Sequence, residues 1–146
     1  MKPKIVRTVA ALRRETRAWR RSKLTFAVVP TMGALHEGHL TLVREGLARA
    51  DRCIATIFVN PKQFGATEDL SRYPRDEDAD VRQLARAGCN LIFAPPPDEM
   101  YGDGFSTTVS LEGPARAGLE DRFRPQFFDG VATVVAKLFI QSGADY

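Results

Sequence analysis

The stretch Phe26-Ala27-Val28-Val29-Pro30-Thr31-Met32-Gly33-Ala34-Leu35-His36-Glu37-Gly38-His39 constrains this chain more than any other. An apolar run of strand type, Phe26–Val29, stops at Pro30. A turn-rich segment follows and carries both histidines of the protein, His36 and His39. Leu40, Val43, Leu47 and Ala50 then recur at helical spacing, which predicts a helix over about Gly38–Ala50. A buried strand that feeds a helix through a tight loop is the βα unit of open parallel sheets. The helix N-terminus offers unpaired backbone N–H groups and the positive end of the dipole, which together make an anion site. Two imidazoles at that place point to phosphate chemistry, because charge supplied there favours a transition state whose phosphate oxygens are gaining charge.

Strand and helix signals keep alternating downstream. Cys53–Val59 reads as a second strand. Asp76–Ala87 reads as a helix with Val81, Leu84 and Ala85 inward and Gly88 as its C-terminal stop. Asn90–Ala94 reads as a third strand, halted by Pro95-Pro96-Pro97. Thr107–Leu111 alternates weakly and reads as a fourth strand at an edge, and Asp129 as the N-cap of a helix through about Ile140. The pattern predicts an α/β, Rossmann-like, doubly wound parallel sheet. The Gly-, Pro- and Arg-rich loop Pro114–Phe128 is expected to be mobile. At Ala144-Asp145-Tyr146 the pattern predicts the start of another strand, so the sheet is expected to be incomplete at the C-terminus.

Charge argues against a nucleic-acid partner. The net charge is +3, but residues 1–23 hold nine Lys or Arg against Glu15, and the remainder is net acidic. Val9, Leu12, Thr16 and Trp19 give this basic segment a mostly apolar stripe at helical spacing, which predicts an amphipathic helix packed on the domain. A helix lying on a membrane or on RNA is the alternative, and no aromatic stacking pattern accompanies it. No apolar run approaches the ~20 residues of a membrane span, and no secretory signal is recognisable. Cys53 and Cys89 form no CxxC pair and read as buried free thiols of a cytoplasmic protein.

Two further sites carry candidate chemistry. A zinc reading of His36 and His39 needs more ligands, and Cys53 and Cys89 are remote from the loop in sequence. Asn60 and Gln63 follow the second strand, at the end where open α/β sheets bind ligands. Asn60-Pro61 also suits a plain turn. Gln63, however, sits between Lys62 and Phe64 where no turn needs an amide, and an amide both donates and accepts, which suits a substrate with hydroxyls and a carboxylate.

The segment Pro30–His39 resembles the HxGH signature of the nucleotidyltransferase superfamily, in the form found in the pantothenate synthetase (pantoate–β-alanine ligase) family. Ile57–Phe64, Asp69–Arg75, Arg124-Pro125 and Phe128–Phe139 resemble later motifs of that family in the same order. The resemblance implies ATP-dependent condensation of pantoate with β-alanine through a pantoyl adenylate, with Mg²⁺ accompanying ATP. It implies catalytic roles for His39 and His36, and ATP contacts along Pro30, Thr31, Met32, Gly33, Ala34, Leu35, His36, Glu37, Gly38 and His39. Asn60, Gln63 and Arg124 are implied as substrate-binding, with Tyr73, Val134, Val135 and Lys137 as weaker candidates. No protein-held metal is implied, and a cytoplasmic homodimer is. Phe127 stands where the family often has His, which removes a hydrogen-bonding group from the arginine loop. By resemblance, residues 1–146 correspond to the N-terminal, nucleotide-binding part of enzymes about twice as long. Two alternatives stay open: another HxGH nucleotidyltransferase, or a module that binds or dimerises without turnover.

Overall fold

The computed structural model describes residues 2–65, 68–113, 118 and 126–146. Its sheet has four parallel strands, β1 (Lys4–Val6), β2 (Phe26–Val29), β3 (Arg52–Thr56) and β4 (Leu91–Phe93), in the order β1-β4-β3-β2. Helices α1 (Val9–Arg21), α2 (Glu37–Arg49), α3 (Glu77–Arg86), α4 (Pro97–Met100) and α5 (Phe127–Ser142) surround it. β2 and β4 are buried at every position, as expected of strands covered on both faces.

The period of two along each strand sorts the core into two layers. Ala27, Val29, Cys53, Ala55 and Ile92 turn toward α2 and α3, where Val43 and Leu84 are fully buried. Phe26, Val28, Ile54, Leu91 and Phe93 turn the other way, toward Leu12 of α1 and Val134 and Leu138 of α5. The sheet is thus doubly wound, as expected. The amphipathic stripe of α1 packs on the domain, with Leu12 and Thr16 buried. Three ion pairs take up basic residues of the N-terminal segment: Lys4–Glu15, Arg7–Glu77 and Arg20–Asp145.

Several sequence expectations are corrected. β1 was not foreseen. It is three residues long and is held by β4, remote from it in sequence, with Ile5 opposite Ile92. The second strand ends at Thr56 and not Val59, although Ile57 N–H still reaches Phe93 O at 2.9 Å. Thr107–Leu111 is not a strand. Its polar backbone is satisfied by α5 instead: Val109 N–H donates to Thr133 Oγ1 at 2.9 Å, and Leu111 N–H to Asp129 Oδ1 at 2.8 Å. For the same reason Asp129 is not the N-cap of α5, whose N-cap is Gln126, three residues earlier, and which runs on to Ser142. Of the loop Pro114–Phe128, residues 114–117 and 119–125 lie outside the described residues.

At the C-terminus, Asp145 N–H donates to Phe26 O and Val28 N–H to Tyr146 O, each at 2.9 Å. These residues therefore lie along the free side of β2, as the sequence pattern expects. The chain runs outward from β2 to β3 and β4, then returns to the opposite side of β2. Such a reversal is where open α/β sheets place ligands, at the carboxyl ends of the strands.

Leu12 carries the docking of α1 and is 1% exposed. Leu12→Ala is expected to cost about 2–5 kcal/mol of unfolding free energy. Leu42→Ala, at a position 55% exposed, should stay within about 0.5 kcal/mol. Urea unfolding of both variants checks the contrast.

Candidate functional site

Two loops leave the carboxyl ends of β2 and β3 and meet. The first begins at Thr31. Thr31 N–H donates to Thr56 Oγ1 at 3.2 Å, and its hydroxyl to Thr56 O at 2.5 Å. Its carbonyl accepts from Phe58 N–H at 3.1 Å, and its Oγ1 from Gly33 N–H at 3.2 Å. Gly33 turns the chain at φ +80°, and a Cβ there would lie 2.9 Å from Asp80 Oδ2. Ala34 follows at φ +51°. Ala34 and Leu35 then donate their N–H groups to the buried Asp80 carboxylate, at 3.1 and 2.9 Å.

The histidines close the loop onto α2. His36 is the N-cap, and its Nδ1 accepts from Gly38 N–H at 3.1 Å. His39 Nδ1 accepts from His36 N–H at 3.3 Å, so the two form a reciprocal capping box in which imidazole takes the part usually played by Ser and Glu. Their ring centroids are 4.1 Å apart. With each Nδ1 accepting, the neutral ring carries its proton on Nε2, which is left to donate. Burial, and then the neighbouring His36, hold His39 below its ordinary value of 6.5, with Asp80 pulling the other way.

This corrects the idea of a helix end rich in unpaired N–H groups. The N–H groups of Gly33, Ala34, Leu35, His36, Gly38 and His39 all have acceptors inside the protein. Among the described residues, those of Met32 and Glu37 are the ones in this loop without one. Side-chain donors, not the helix end, are what the loop presents.

The second loop turns at Asn60, which is 1% exposed and fully bonded within the protein. Its Oδ1 accepts from Tyr101 Oη–H at 2.7 Å and from Lys62 N–H at 3.2 Å. Its Nδ2 donates to Gly130 O and to Gln63 Oε1, each at 3.1 Å. Burial pushes the Tyr101 phenol up to about 12, so it stays a donor. Asn60 is thus a hub joining the loop, α5 and Tyr101, with no capacity left for a ligand. Gln63 Oε1 accepts one bond, from Asn60, and its Nε2 is free, which makes it chiefly a donor toward whatever it faces. Gly130 lets α5 approach: a Cβ there would fall 2.1 Å from Lys62 O.

A cavity of about 240 Å³ lies where these loops meet α5. Pro30, Thr31, Met32, His39 and Gln63 line it, together with Tyr73, Val134 and Val135. The candidates from two separated motifs therefore converge on one space, with donors on one side and valines on the other. Ala34, His36, Glu37 and Gly38 are exposed and do not line it, and Glu37 is ion-paired with Arg44. Lys137 stands apart, 4.7 Å from the Phe105 ring centroid. Arg124 lies outside the described residues. Asp80 and Tyr101 were not singled out from sequence, and Gly130 appeared there only as part of the Phe128–Phe139 motif. Asp80 looks there like an ordinary acid of a helix's first turns, and only its partners 45 and 46 residues away distinguish it.

Among the described residues, no three His, Cys, Asp or Glu side chains converge as metal ligands. Cys53 and Cys89 are free and buried, and the Cys53 thiol is pushed up by its hydrogen bond with Cys89 and by burial. No helix among the described residues is long and apolar enough to cross a membrane.

Fold and loop together define an α/β unit of the nucleotidyltransferase type, with a histidine pair at the carboxyl end of its first motif strand. The chain belongs to the pantoate-β-alanine ligase family, whose profile it matches over residues 4–146. It is 62% identical to the pantothenate synthetase of Caulobacter vibrioides over 143 residues, which is 98% of this chain and 50% of that protein. It is 56% identical to the enzyme of the same name from a Bradyrhizobium species, again over half of that protein. The crystal structure of pantothenate synthetase from Thermus thermophilus superposes with a TM-score of 0.83 at 46% identity, covering 97% of this chain and 49% of that one. A Francisella tularensis pantoate-β-alanine ligase complexed with β,γ-ATP and β-alanine gives 0.84 at 31% identity, covering 98% and 54%. The chain spans about half the length of the curated relatives it matches.

Two expectations follow from the geometry. Gly130→Ala forces α5 off the Pro61–Gln63 turn and should cost at least about 1–3 kcal/mol, as overpacking does. It should also loosen the Asn60 amide, read by thermal unfolding and by side-chain amide NMR. His39 should titrate below 6.5 by imidazole ¹H NMR. Because its folded value lies below its unfolded one, its contribution to stability is whole above pH about 6.5. That contribution is lost as pH falls through the folded value, and a midpoint at or above 6.5 would contradict the burial argument.

Proposed function

We propose that this chain serves the ATP-dependent condensation of pantoate with β-alanine, as the N-terminal, nucleotide-binding part of that enzyme. The observation that carries the reading is the convergence of His39, Met32 and Gln63 on one cavity with an apolar α5 wall. Family membership supports the chemistry, and the ATP and β-alanine of the Francisella complex support the ligands.

In the first step a pantoate carboxylate oxygen attacks the α-phosphorus of ATP. A P–O bond forms, the bond to the β-phosphate oxygen breaks, and pyrophosphate leaves. In the second, the β-alanine amine attacks the activated acyl carbon, loses a proton, and AMP departs with the electron pair of the broken C–O bond. The residues' work is positioning and charge stabilisation. Gln63 Nε2 donates to pantoate, with its acceptor side fixed by Asn60. Val134 and Val135 hold the apolar part of the acid. Met32 N–H and the Nε2–H groups of His39 and His36 face the nucleotide. His39 begins neutral in the free site, and an approaching polyanion favours its protonated form, so positive charge gathers as the phosphate oxygens gain negative charge. The Mg²⁺ of this proposal travels with the ATP phosphates. A cytoplasmic homodimer is the proposed setting.

Binding and turnover are separable tests. Calorimetry of this chain should show pantoate binding that Gln63→Glu weakens, because the substitution sets a carboxylate against the substrate's own, while ATP binding changes little. Equal loss of both ligands would count against the assigned role. In a full-length relative carrying these residues, His39→Ala should slow single-turnover pyrophosphate release by ~10²–10³. A wild-type rate would overturn the assignment. A chain that binds pantoate but releases no pyrophosphate from ATP would favour the binding-module reading.

A further inference from the structure

We propose that Asp80 is a positioning residue that holds the Met32–His39 loop in its working shape. The proposal rests on the reading above that this loop serves the phosphates. Asp80 sits on α3, is 3% exposed, and lies in neither sequence motif. Its two oxygens each take one loop amide, Oδ1 from Leu35 and Oδ2 from Ala34. Among the described residues it has no cationic partner. A buried carboxylate is costly unless its charge is met, and here two peptide N–H groups meet it.

The chemistry of the pair of contacts is specific. The two donors fall on two different oxygens, one each. Asparagine offers one, and would turn its NH₂ against the other amide. Behind Oδ2 lies Gly33, where a Cβ would be only 2.9 Å away. The carboxylate therefore occupies the inside of the turn, as a bound anion would. The loop amides point inward to it, and the imidazoles are left on the outer side. The titratable groups facing His39 are His36 on its own helix, Asp80 from α3, and Tyr73 across the cavity. Asp80 is the acidic one, and it opposes the effect of burial and of His36 on the ring.

The test needs no nucleotide, so it stands or falls separately from the proposed reaction. In the wild-type chain, amide hydrogen exchange at Ala34 and Leu35 should be slow relative to Met32 and Glu37, although Ala34 is exposed. In Asp80→Asn, exchange at Ala34 and Leu35 should quicken by about tenfold or more, the scale of losing one hydrogen bond to a charged group. Exchange at Ile54, in the core of β3, should change far less. The His39 imidazole midpoint should fall further, because Asp80 opposes the effect of burial on that ring. Asp80→Glu, which keeps two acceptors and the charge, should restore part of the His39 shift. Unprotected Ala34 and Leu35 amides in the wild type would overturn the proposal even if the variants failed to fold. So would an unchanged His39 midpoint in a folded Asp80→Asn chain.

Discussion

Thr31 and Thr56 tie the ends of two neighbouring strands together, and the candidate site depends on that tie. Beyond Val29 and Thr56 the regular ladder stops, yet the two residues exchange backbone and hydroxyl bonds across the gap, and Phe58 N–H adds a third. The pairing of β2 with β3 is thereby extended by side chains just where the chains must diverge. Everything downstream is fixed relative to this point: the histidine loop on one side, and Asn60 with Gln63 on the other. Both threonines are buried, so their hydroxyls act as internal fasteners.

Much of the scaffold was readable because its causes are local. Phe26–Val29, the helix after His36 and the helix after Asp76 each carry their own apolar period, and Asp76 caps α3 with its own carboxylate on Ala79 N–H. What could not be read has non-local causes. Lys4–Val6 has no strand signal of its own, and β4 supplies its partners. Val109 looked like part of a strand, because β-branched alternation cannot reveal that Thr133 of a later helix takes its backbone bonds. At the site, residue identities pointed to His36, His39, Asn60 and Gln63. The division of labour among them did not show, because it depends on which hydrogen-bonding valences the fold consumes. Asn60 is spent and Gln63 is half spent, and that difference is legible only in three dimensions.

The same accounting changes the electrostatic character of the loop. A helix N-terminus attracts anions through its unpaired N–H groups. Here most of those groups are satisfied before any ligand arrives, by an aspartate, a threonine hydroxyl and the histidines themselves. Under the proposed function, attraction passes to the imidazole Nε2–H groups and to Gln63 Nε2, which are directional donors. A neutral donor does little to concentrate anions from solution. It discriminates sharply by geometry, however, since a hydrogen bond weakens steeply as its angle departs from linear.

That arrangement couples ligand charge to protonation. Burial and the proximity of His36 disfavour the His39 cation in the empty loop, by the desolvation and like-charge effects that depress a basic group. In the proposed reaction a polyanion beside the ring would oppose the effect of burial, because it would supply the counter-charge that burial withholds. Under the proposed function, binding of a phosphate chain and uptake of a proton would be mutually reinforcing, as linkage requires when one event shifts the free energy of the other. A ring that was already charged in the empty site would interact with ground state and transition state alike. One that became charged as phosphate charge built up, as the proposed function has it, would favour the later state, and only such differential interaction lowers a barrier.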